Sequence, residues 1–146
     1  TLQVKALHRI NGEAHTVAIY SPLPGRTLRD IVNSSEADAN LMYRLGVFLA
    51  RGQRQGGYFR SIHPGNIIVN GMDFGLIDIL DMRIHWWSLS RWARRRNWRH
   101  FFRYPRDWEN HGDLIEALIK GYRHAADLPL RELNWLERII GKFIST

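Results

Sequence analysis

The sequence predicts an α+β domain in which helices predominate. Three observations lead to this class: a pair of β-type segments opens the chain, two short apolar runs lie near its middle, and helical periodicity fills much of the rest. The order is a strand pair, helices, a loop with a small hairpin, and further helices, which is typical of an α+β fold. With 146 residues, the chain is long enough to form one sizeable core.

The first 25 residues predict two strands and a linker. The segments LQVKALHRI and HTVAIYSPL are typical of strands, and Asn11-Gly12 between them favours a tight turn. Pro22, Pro24 and Gly25 then indicate an irregular link.

Two helices are predicted between residues 26 and 57. The segment RTLRDIV begins a short helix, and we expect Ser34 or Ser35 to cap the longer helix that follows. Gly56-Gly57 is expected to end this second helix. Its apolar residues recur at helical spacing at Leu41, Leu45, Phe48 and Leu49.

A small hairpin is predicted in the middle of the chain. The polar and aperiodic stretch YFRSIHPGN precedes two apolar runs, residues 67–69 and 74–77, and Asn70-Gly71 forms the turn between them. Three helices follow in the prediction. Residues 88–104 look helical and basic, and DLIEALIKGYRHAA and LRELNWLERIIGKFI are amphipathic, the first capped by Asp113 and the second introduced by Pro129.

The net charge of +7 is concentrated in one segment. Between Met82 and Arg106 there are eight arginines and no carboxylate, which favours an anionic partner such as phosphate, nucleic acid or an acidic lipid surface. The absence of cysteine excludes disulfides and thiolate metal sites. No apolar run approaches the roughly 20 residues of a membrane-spanning helix. Because the chain begins at Thr1, we expect a fragment or a processed chain.

The motifs in the middle of the chain resemble those of protein-kinase-like enzymes. The residues HPGN, followed by an apolar strand, resemble the catalytic loop of aminoglycoside phosphotransferase-type kinases, commonly written H-G-D-x-H-P-G-N. The stretch LIDILDMRI and the arginine-rich helix after it are more similar to bacterial lipopolysaccharide core kinases, which phosphorylate heptose or Kdo sugars, and to the toluene-tolerance-type family. The resemblance implies that residues 1–25 are a remnant of the small lobe and hinge, and that residues 26–146 form the large lobe.

Asn66 and Asp78 lie at the two ends of the predicted hairpin and are candidate magnesium ligands. Phosphoryl transfer requires a positioned triphosphate, neutralisation of its charge and an acceptor hydroxyl held in line. Mg²⁺ prefers oxygen ligands and usually takes only one or two from the protein. We therefore expect this amide and this carboxylate to bind Mg²⁺ together with ATP. For Asp78, a helix cap or a surface carboxylate is the alternative.

The tripeptide D-F-G at residues 73–75 matches the magnesium element of protein kinases in letters only. Asp73 lies in or just beyond the predicted turn, at the far end of the hairpin from Asn66. A strand rises about 3.3 Å per residue, so Asp73 is expected on the order of 10 Å or more from the metal end. We expect Asp73 to be an exposed turn residue and Asp78, in L-I-D, to be the metal ligand.

The predicted catalytic loop departs from the kinase pattern at Ser61. The resemblance implies an acceptor-orienting Asp five residues before Asn66, and this position is Ser61 here. A positioned general base raises the reaction rate by about 10²–10⁴-fold, so its loss predicts slower turnover without necessarily abolishing it. Ser61 can still orient a hydroxyl. His63 is either a substitute base or a structural loop residue, and Arg60 either holds an anion or pairs with a carboxylate.

The nucleotide-binding elements of the kinase-like fold cannot be placed in this sequence. No G-x-G-x-x-G motif occurs, and Lys5 lies too near the expected hinge to be the conserved strand lysine of such enzymes. Either the chain lacks its N-terminal part, which the start at Thr1 favours, or the protein has lost ATP binding. The hinge, including Tyr20 and Leu23, can hydrogen-bond an adenine through backbone groups, although a plain linker would look the same.

The arginine-rich segment contains further candidate anion ligands. As a helix, it would place Trp92, Arg95, Arg99 and Phe102 near one face. Arginine forks suit bidentate binding of phosphates. The resemblance implies a docking surface for lipopolysaccharide, and hence a cytoplasmic protein in peripheral contact with the inner membrane; a solvated basic face is the alternative. The candidate anion or lipid ligands are Arg91, Arg94, Arg95 and Arg99.

Two functions of other classes remain open. Basic residues interleaved with aromatic ones also occur in single-strand nucleic-acid binders, but zinc-finger spacing, a ribonucleoprotein motif and heptads are absent, which makes nucleic acid the less favoured partner. A pseudokinase scaffold that binds a partner or lipid without turnover is favoured by Ser61. No H-E-x-x-H or G-x-S-x-G motif supports hydrolytic chemistry.

Overall fold

The first two strands of the chain pair antiparallel to each other. Strand β1, Val4–Arg9, lies beside β2, Thr16–Tyr20, as the alternating sequence predicts. The structure is a computed structural model that describes residues 4–9 and 16–144. The turn predicted at Asn11-Gly12 lies outside these residues.

Two helices follow, and each begins at a side chain that caps it. Strand β3, Arg26–Thr27, leads into α1, Leu28–Asn33, where the Thr27 hydroxyl accepts a hydrogen bond from the backbone N–H of Asp30. Helix α2, Ala39–Arg54, begins at Asp38, whose carboxylate accepts from the backbone N–H of Leu41 at 2.6 Å. The prediction that Ser34 or Ser35 caps this helix is therefore wrong.

The remaining strands form two small antiparallel sheets. Strands β5, Ile67–Asn70, and β6, Asp73–Leu76, form the predicted hairpin, and β3 joins it on the β5 side. Strands β4, Gly57–Phe59, and β7, Met82–Ile84, pair with each other. The sequence did not predict β3, β4 or β7, because strands of two or three residues are too short to show a period.

Three helices complete the described chain. Helix α3 spans Arg91–Phe101, which is shorter than the predicted 88–104; α4 spans Gly112–Ala126; and α5 spans Leu130–Ile144, as predicted. The N-cap of α4 is His111, without a side-chain capping bond, so the prediction that Asp113 caps it is wrong. Within the described residues, no helix has both the length and the apolar character needed to cross a membrane.

The core forms where α2 and α4 pack against each other with their backbones in contact. A Cβ added at Gly121 would lie 1.9 Å from the carbonyl oxygen of Tyr43, and one added at Gly46 would lie 2.0 Å from that of Leu118. Only glycine fits at such a crossing. Helix α3 and the turn after it add a cluster of buried aromatic rings, Trp98, Phe101, Phe102 and Trp108.

Candidate active site

The open end of the β5–β6 hairpin brings Asn66 and Asp78 to the same place. The backbone N–H of Ile77 donates to the carbonyl oxygen of Asn66 at 3.1 Å, one step beyond the paired residues Ile67 and Leu76. Asp78 follows immediately. Asp73 pairs with Asn70 at the closed end, where it is exposed. The structure therefore places Asp78, and not Asp73, beside Asn66.

Asn66 is buried, and its side-chain amide is oriented by the backbone of the loop that precedes it. It ends a 3₁₀ turn, Pro64–Asn66, and is 9% exposed. Its Nδ2 donates to the carbonyl oxygen of Ser61 at 3.0 Å. This bond occupies the nitrogen of the amide and leaves the oxygen, Oδ1, for another partner. Mg²⁺ prefers oxygen ligands, and Oδ1 is the atom of the Asn66 amide that this bond leaves available.

Asp78 has a left-handed backbone, with φ of 54° and ψ of 48°. For a residue other than glycine, this conformation costs about 1–2 kcal/mol, and such residues are concentrated at functional sites. Its side chain is exposed and makes no capping bond to the 3₁₀ turn Ile79–Asp81 that it begins. A surface carboxylate remains compatible with these facts, but a helix cap does not.

The side chains near Asn66 and Asp78 are better suited to Mg²⁺, which keeps water or phosphate ligands, than to a metal ion held by protein ligands alone. Across residues 4–9 and 16–144, no group of three or more His, Cys, Asp or Glu side chains is arranged to hold a metal ion. Asn66 and Asp78 supply at most three oxygen donors, one from the amide and two from the carboxylate, which leaves ligand positions that Mg²⁺ usually fills with phosphate and water.

Ser61, at the position implied for the catalytic Asp, is hydrogen-bonded to a different carboxylate. Its Oγ donates to Oδ2 of Asp81 at 2.8 Å, and its backbone N–H donates to Oδ1 of the same residue at 3.3 Å. Sequence reasoning missed Asp81. The signal that locates it is the pairing of Phe59 with Met82 in the β4–β7 sheet, which a three-residue strand does not reveal beforehand.

The contacts of His63 favour a structural role in the loop. Its Nδ1 accepts a hydrogen bond from the backbone N–H of Gly65 at 3.1 Å, and its ring packs edge-on against Tyr104. Partial burial, and then the nearby Arg29 guanidinium, lower the pKa of His63 below its usual value. In the neutral ring with Nδ1 as acceptor, the proton is on Nε2. To act as a base through Nε2, His63 would have to give up the Gly65 hydrogen bond.

Arg60 lines a basic groove beside the loop that leads to Asn66. The groove has a volume of about 400 Å³, and Arg83 and Arg96 line it together with Trp87 and Trp92. Its other lining residues are Tyr58, His85, Leu89, Ser90 and Ala93, so no carboxylate lines it. This combination of guanidinium and aromatic groups is suited to an anion that carries a flat apolar face.

The four arginines predicted to bind anions differ in their surroundings. Arg94 is buried, and its Nε donates to the carbonyl oxygen of Leu89 at 2.8 Å. The guanidinium of Arg95 lies 4.6 Å from the centre of the Trp135 ring. These contacts favour structural roles for Arg94 and Arg95, whereas Arg91 and Arg99 are exposed.

The residues predicted to lie near one face of the arginine-rich helix differ in exposure, and Phe102 lies just beyond the end of α3. Trp92 is 64% exposed, whereas Phe102 is 4% exposed, and the buried residues of α3 are Arg94, Asn97, Trp98 and Phe101.

The predicted hinge lies against the hairpin. Leu23 is partly buried and contacts β6 so closely that a Cβ added at Gly75 would lie 2.8 Å from its Cδ1 atom. Tyr20 ends β2, and Lys5 lies in β1, but their side chains are outside what the structure describes. Leu23 therefore follows the first strand pair in the chain and packs against the β5–β6 hairpin.

Comparison with known proteins supports the fold. Neither the protein-family models nor the curated proteins that were searched match this sequence. A solved structure described as WaaP in complex with acyl carrier protein is similar, with a TM-score of 0.60 and 16% identity over 98% of this chain and 69% of that one. The fold is protein-kinase-like. This confirms the predicted fold class; at this identity the likeness concerns the fold alone.

Proposed function

We propose that this protein is an ATP-dependent phosphotransferase that acts on a hydroxyl of an anionic sugar of the lipopolysaccharide core type. The observation that supports this most is the convergence of the buried Asn66 with the left-handed Asp78 at one end of the β5–β6 hairpin. The kinase-like fold and the HPGN motif agree with it. In this proposal residues 1–25 are the end of the small lobe and the hinge, and residues 26–146 are the large lobe.

Asn66 and Asp78 would hold Mg²⁺ through amide and carboxylate oxygens. When bound, the ion neutralises charge on the triphosphate of ATP. The hinge from Tyr20 to Gly25, including Leu23, would contact the adenine. Ser61, at the N-terminal side of the Asn66 loop, would face the acceptor hydroxyl.

The groove lined by Arg60, Arg83 and Arg96 is the acceptor site in this proposal. Guanidinium groups bind phosphate or carboxylate substituents of a sugar, and Trp87 and Trp92 offer flat apolar surfaces to its ring. The groove begins at Arg60, which directly precedes Ser61, so a sugar bound there has a hydroxyl within reach of the loop.

A peripheral contact with the inner membrane accompanies this proposal. Leu80, Ile84 and Trp86 are 97%, 76% and 99% exposed, and they lie just before or within the first residues of the arginine-rich segment. Exposed apolar and tryptophan side chains beside cations are typical of proteins that bind the surface of an anionic bilayer. Arg91 and Arg99 are the predicted arginines that remain available for such a contact.

The proposal is tested by phosphate transfer from γ-labelled ATP to lipopolysaccharide core oligosaccharide, with the full-length protein and Mg²⁺. We expect transfer that EDTA and Asp78→Asn abolish and that Asp73→Asn, the matched change at the other end of the hairpin, leaves intact. ATP binding without transfer to heptose- or Kdo-containing acceptors would favour the scaffold function. Binding of generic RNA that weakens steeply with salt, without ATP binding, would favour the nucleic-acid function.

A further inference from the structure

The carboxylate of Asp81 accepts two hydrogen bonds from Ser61, the residue at the position where the kinase resemblance implies an Asp. We infer that Ser61 and Asp81 form a pair that orients the acceptor hydroxyl and takes up its proton, with Ser61 in contact with the acceptor and Asp81 acting through Ser61. This inference rests on the proposed phosphotransferase function. Ser61 is then the catalytic residue and Asp81 a positioning residue.

The fold fixes Asp81 beside Ser61 through the β4–β7 sheet. Phe59 is opposite Met82 in this antiparallel pair, so residues 60 and 61 run alongside residues 80 and 81. Both hydrogen bonds between Ser61 and Asp81 follow from this register: the hydroxyl donates to Oδ2, and the backbone N–H donates to Oδ1. The carboxylate is thus held by two donors from one residue.

The pair adjoins both proposed metal ligands. Asn66 donates from Nδ2 to the carbonyl oxygen of Ser61. Asp78 and Asp81 are separated by one 3₁₀ turn, Ile79–Asp81, in which the rise is about 2 Å per residue, or about 6 Å over three residues. A phosphate bound through Asn66 and Asp78 would therefore lie close to the Ser61 hydroxyl.

Asp81 is a partly buried carboxylate whose identified hydrogen bonds both come from Ser61. It is partly buried, and none of the salt bridges found among the described residues includes it. A carboxylate withdrawn from water without a cation is costly unless hydrogen bonds compensate. Here its identified hydrogen bonds come from Ser61, whose hydroxyl is the group inferred to contact the acceptor.

The direction of the Ser61–Asp81 hydrogen bond suits proton uptake. Because the hydroxyl donates to Asp81, its own lone pairs point to other partners and can accept from an acceptor hydroxyl. In the transfer step, the acceptor oxygen bonds to the γ-phosphorus of ATP, and the bond from that phosphorus to the β,γ-bridging oxygen breaks. The acceptor proton passes to Ser61 Oγ, the Ser61 proton passes to Asp81, and ADP leaves.

Kinetics of the single and double variants test the pair. In the transfer assay with γ-labelled ATP and lipopolysaccharide core oligosaccharide, we expect Asp81→Asn and Ser61→Ala each to lower kcat about 10²-fold, the mild end for a lost base. The KM for ATP should change by less than about twofold, because the inferred role of both residues concerns the acceptor hydroxyl and not the nucleotide. The double variant should be no slower than either single one, since residues that act as a unit are not additive.

Two further variants separate chemistry from folding. Asp73→Asn, at the exposed hairpin turn, should keep wild-type kcat and serves as the matched control. The exchange Ser61→Asp with Asp81→Ser returns a carboxylate to the loop position and should exceed Asp81→Asn in kcat by at least about tenfold. If Asp81→Asn does not fold, Ser61→Ala and this exchange carry the test.

The outcomes distinguish the inference from the proposed function. Wild-type kcat in Asp81→Asn or in Ser61→Ala, multiplicative losses in the double variant, or no recovery in the exchange would each overturn the pair while leaving the phosphotransferase intact. Mg²⁺-dependent ATP binding is measured separately by thermal shift. Failure of the wild-type protein to transfer phosphate would overturn both the proposed function and the pair that depends on it.

Discussion

The backbone N–H of Ile77 donates a 3.1 Å hydrogen bond to the carbonyl oxygen of Asn66. This bond extends the β5–β6 ladder past its last paired residues, and Asp78 follows Ile77 directly. Because strand side chains alternate with a period of two, adding one residue to β6 would turn Asp78 to the opposite side of the hairpin. The proposed metal site therefore depends on the length of the hairpin as much as on the identity of its residues.

The left-handed backbone of Asp78 predicts an unusual order of stability among its variants. At a φ of 54°, Asp78→Gly should be more stable than Asp78→Ala by about 1 kcal/mol, because glycine adopts this conformation without a steric cost. Urea unfolding measures the difference. At Asp73, which is in strand β6, the order should reverse, since glycine weakens a strand. Equal stability of Asp78→Gly and Asp78→Ala would contradict a left-handed residue 78.

The ion pair between Arg29 and Asp107 is predicted to stabilise the loop region near His63. Two hydrogen bonds of 2.9 and 2.8 Å join α1 to the 3₁₀ turn Pro105–Asp107, and the Asp107 side chain is 12% exposed. Asp107→Asn should lower the free energy of unfolding by about 1.5–3 kcal/mol, the range for hydrogen bonds to charged groups.

The exposed pair Arg26–Glu36 is the matched control for this prediction. Its side chains are 49% and 58% exposed, so solvent and salt screen the interaction. Glu36→Gln should therefore change the free energy of unfolding much less than Asp107→Asn does. A Glu36→Gln effect as large as that of Asp107→Asn would contradict the distinction drawn from burial.

Glycines in the two packed helices should respond to alanine in opposite directions. Gly121→Ala requires α2 and α4 to separate, because the new Cβ would lie 1.9 Å from a backbone oxygen, and it should cost about 3 kcal/mol. Gly52→Ala meets nothing within 4 Å and should stabilise the protein by about 0.5–1 kcal/mol through helix propensity. Thermal or urea unfolding measures both. A stable Gly121→Ala variant would show that α2 and α4 cross at a larger distance.

The lowered pKa of His63 predicts a loss of stability on acidification. Burial and Arg29 lower this pKa below 6.5, outweighing the opposite effects of Asp107 and Asp78. Above pH 6.5 the ring is neutral in both folded and unfolded chains, and it contributes no pH dependence. As the pH falls below 6.5, the unfolded chain binds the proton first, so stability decreases until the pH reaches the folded pKa.

The variant His63→Asn isolates this contribution. Asparagine keeps an acceptor for the Gly65 N–H but does not titrate, so its free energy of unfolding should fall less between pH 7 and pH 5 than that of the wild type. Urea denaturation at several pH values measures the two slopes. Identical slopes would show that His63 is protonated as easily in the folded protein as in the unfolded one.

Periodicity explains why some elements could be predicted and others could not. The β5–β6 hairpin and α5 carry strong patterns, and their positions agree with the prediction. Strands β4 and β7 have three residues each, and only their mutual pairing makes them strands. Asp81 owes its position to that pairing, so no local pattern indicated it. The placement of Asn66 and Asp78 at one end of the hairpin could be predicted, because both flank a hairpin whose length the sequence shows.

The buried arginines illustrate a second limit of sequence reasoning. Arg94 and Arg95 belong to a run of charges that is typical of a solvated face. Their burial depends on partners elsewhere in the chain, the Leu89 carbonyl for Arg94 and the Trp135 ring for Arg95. The groove with Arg60, Arg83 and Arg96 likewise assembles from three separate segments. Tertiary docking, which charge patterning does not encode, decides which arginines remain available for an anion.

The most direct test of the account is the thermal shift that Mg²⁺ and ATP produce in the full-length wild-type protein, in Asp78→Asn and in Asp73→Asn. If Asn66 and Asp78 hold the metal, ATP should raise the Tm of the wild type only when Mg²⁺ is present. Asp73→Asn should retain this shift, and Asp78→Asn should lose it. A full shift in Asp78→Asn, or a shift lost in Asp73→Asn, would contradict the assignment of the hairpin's open end as the metal site.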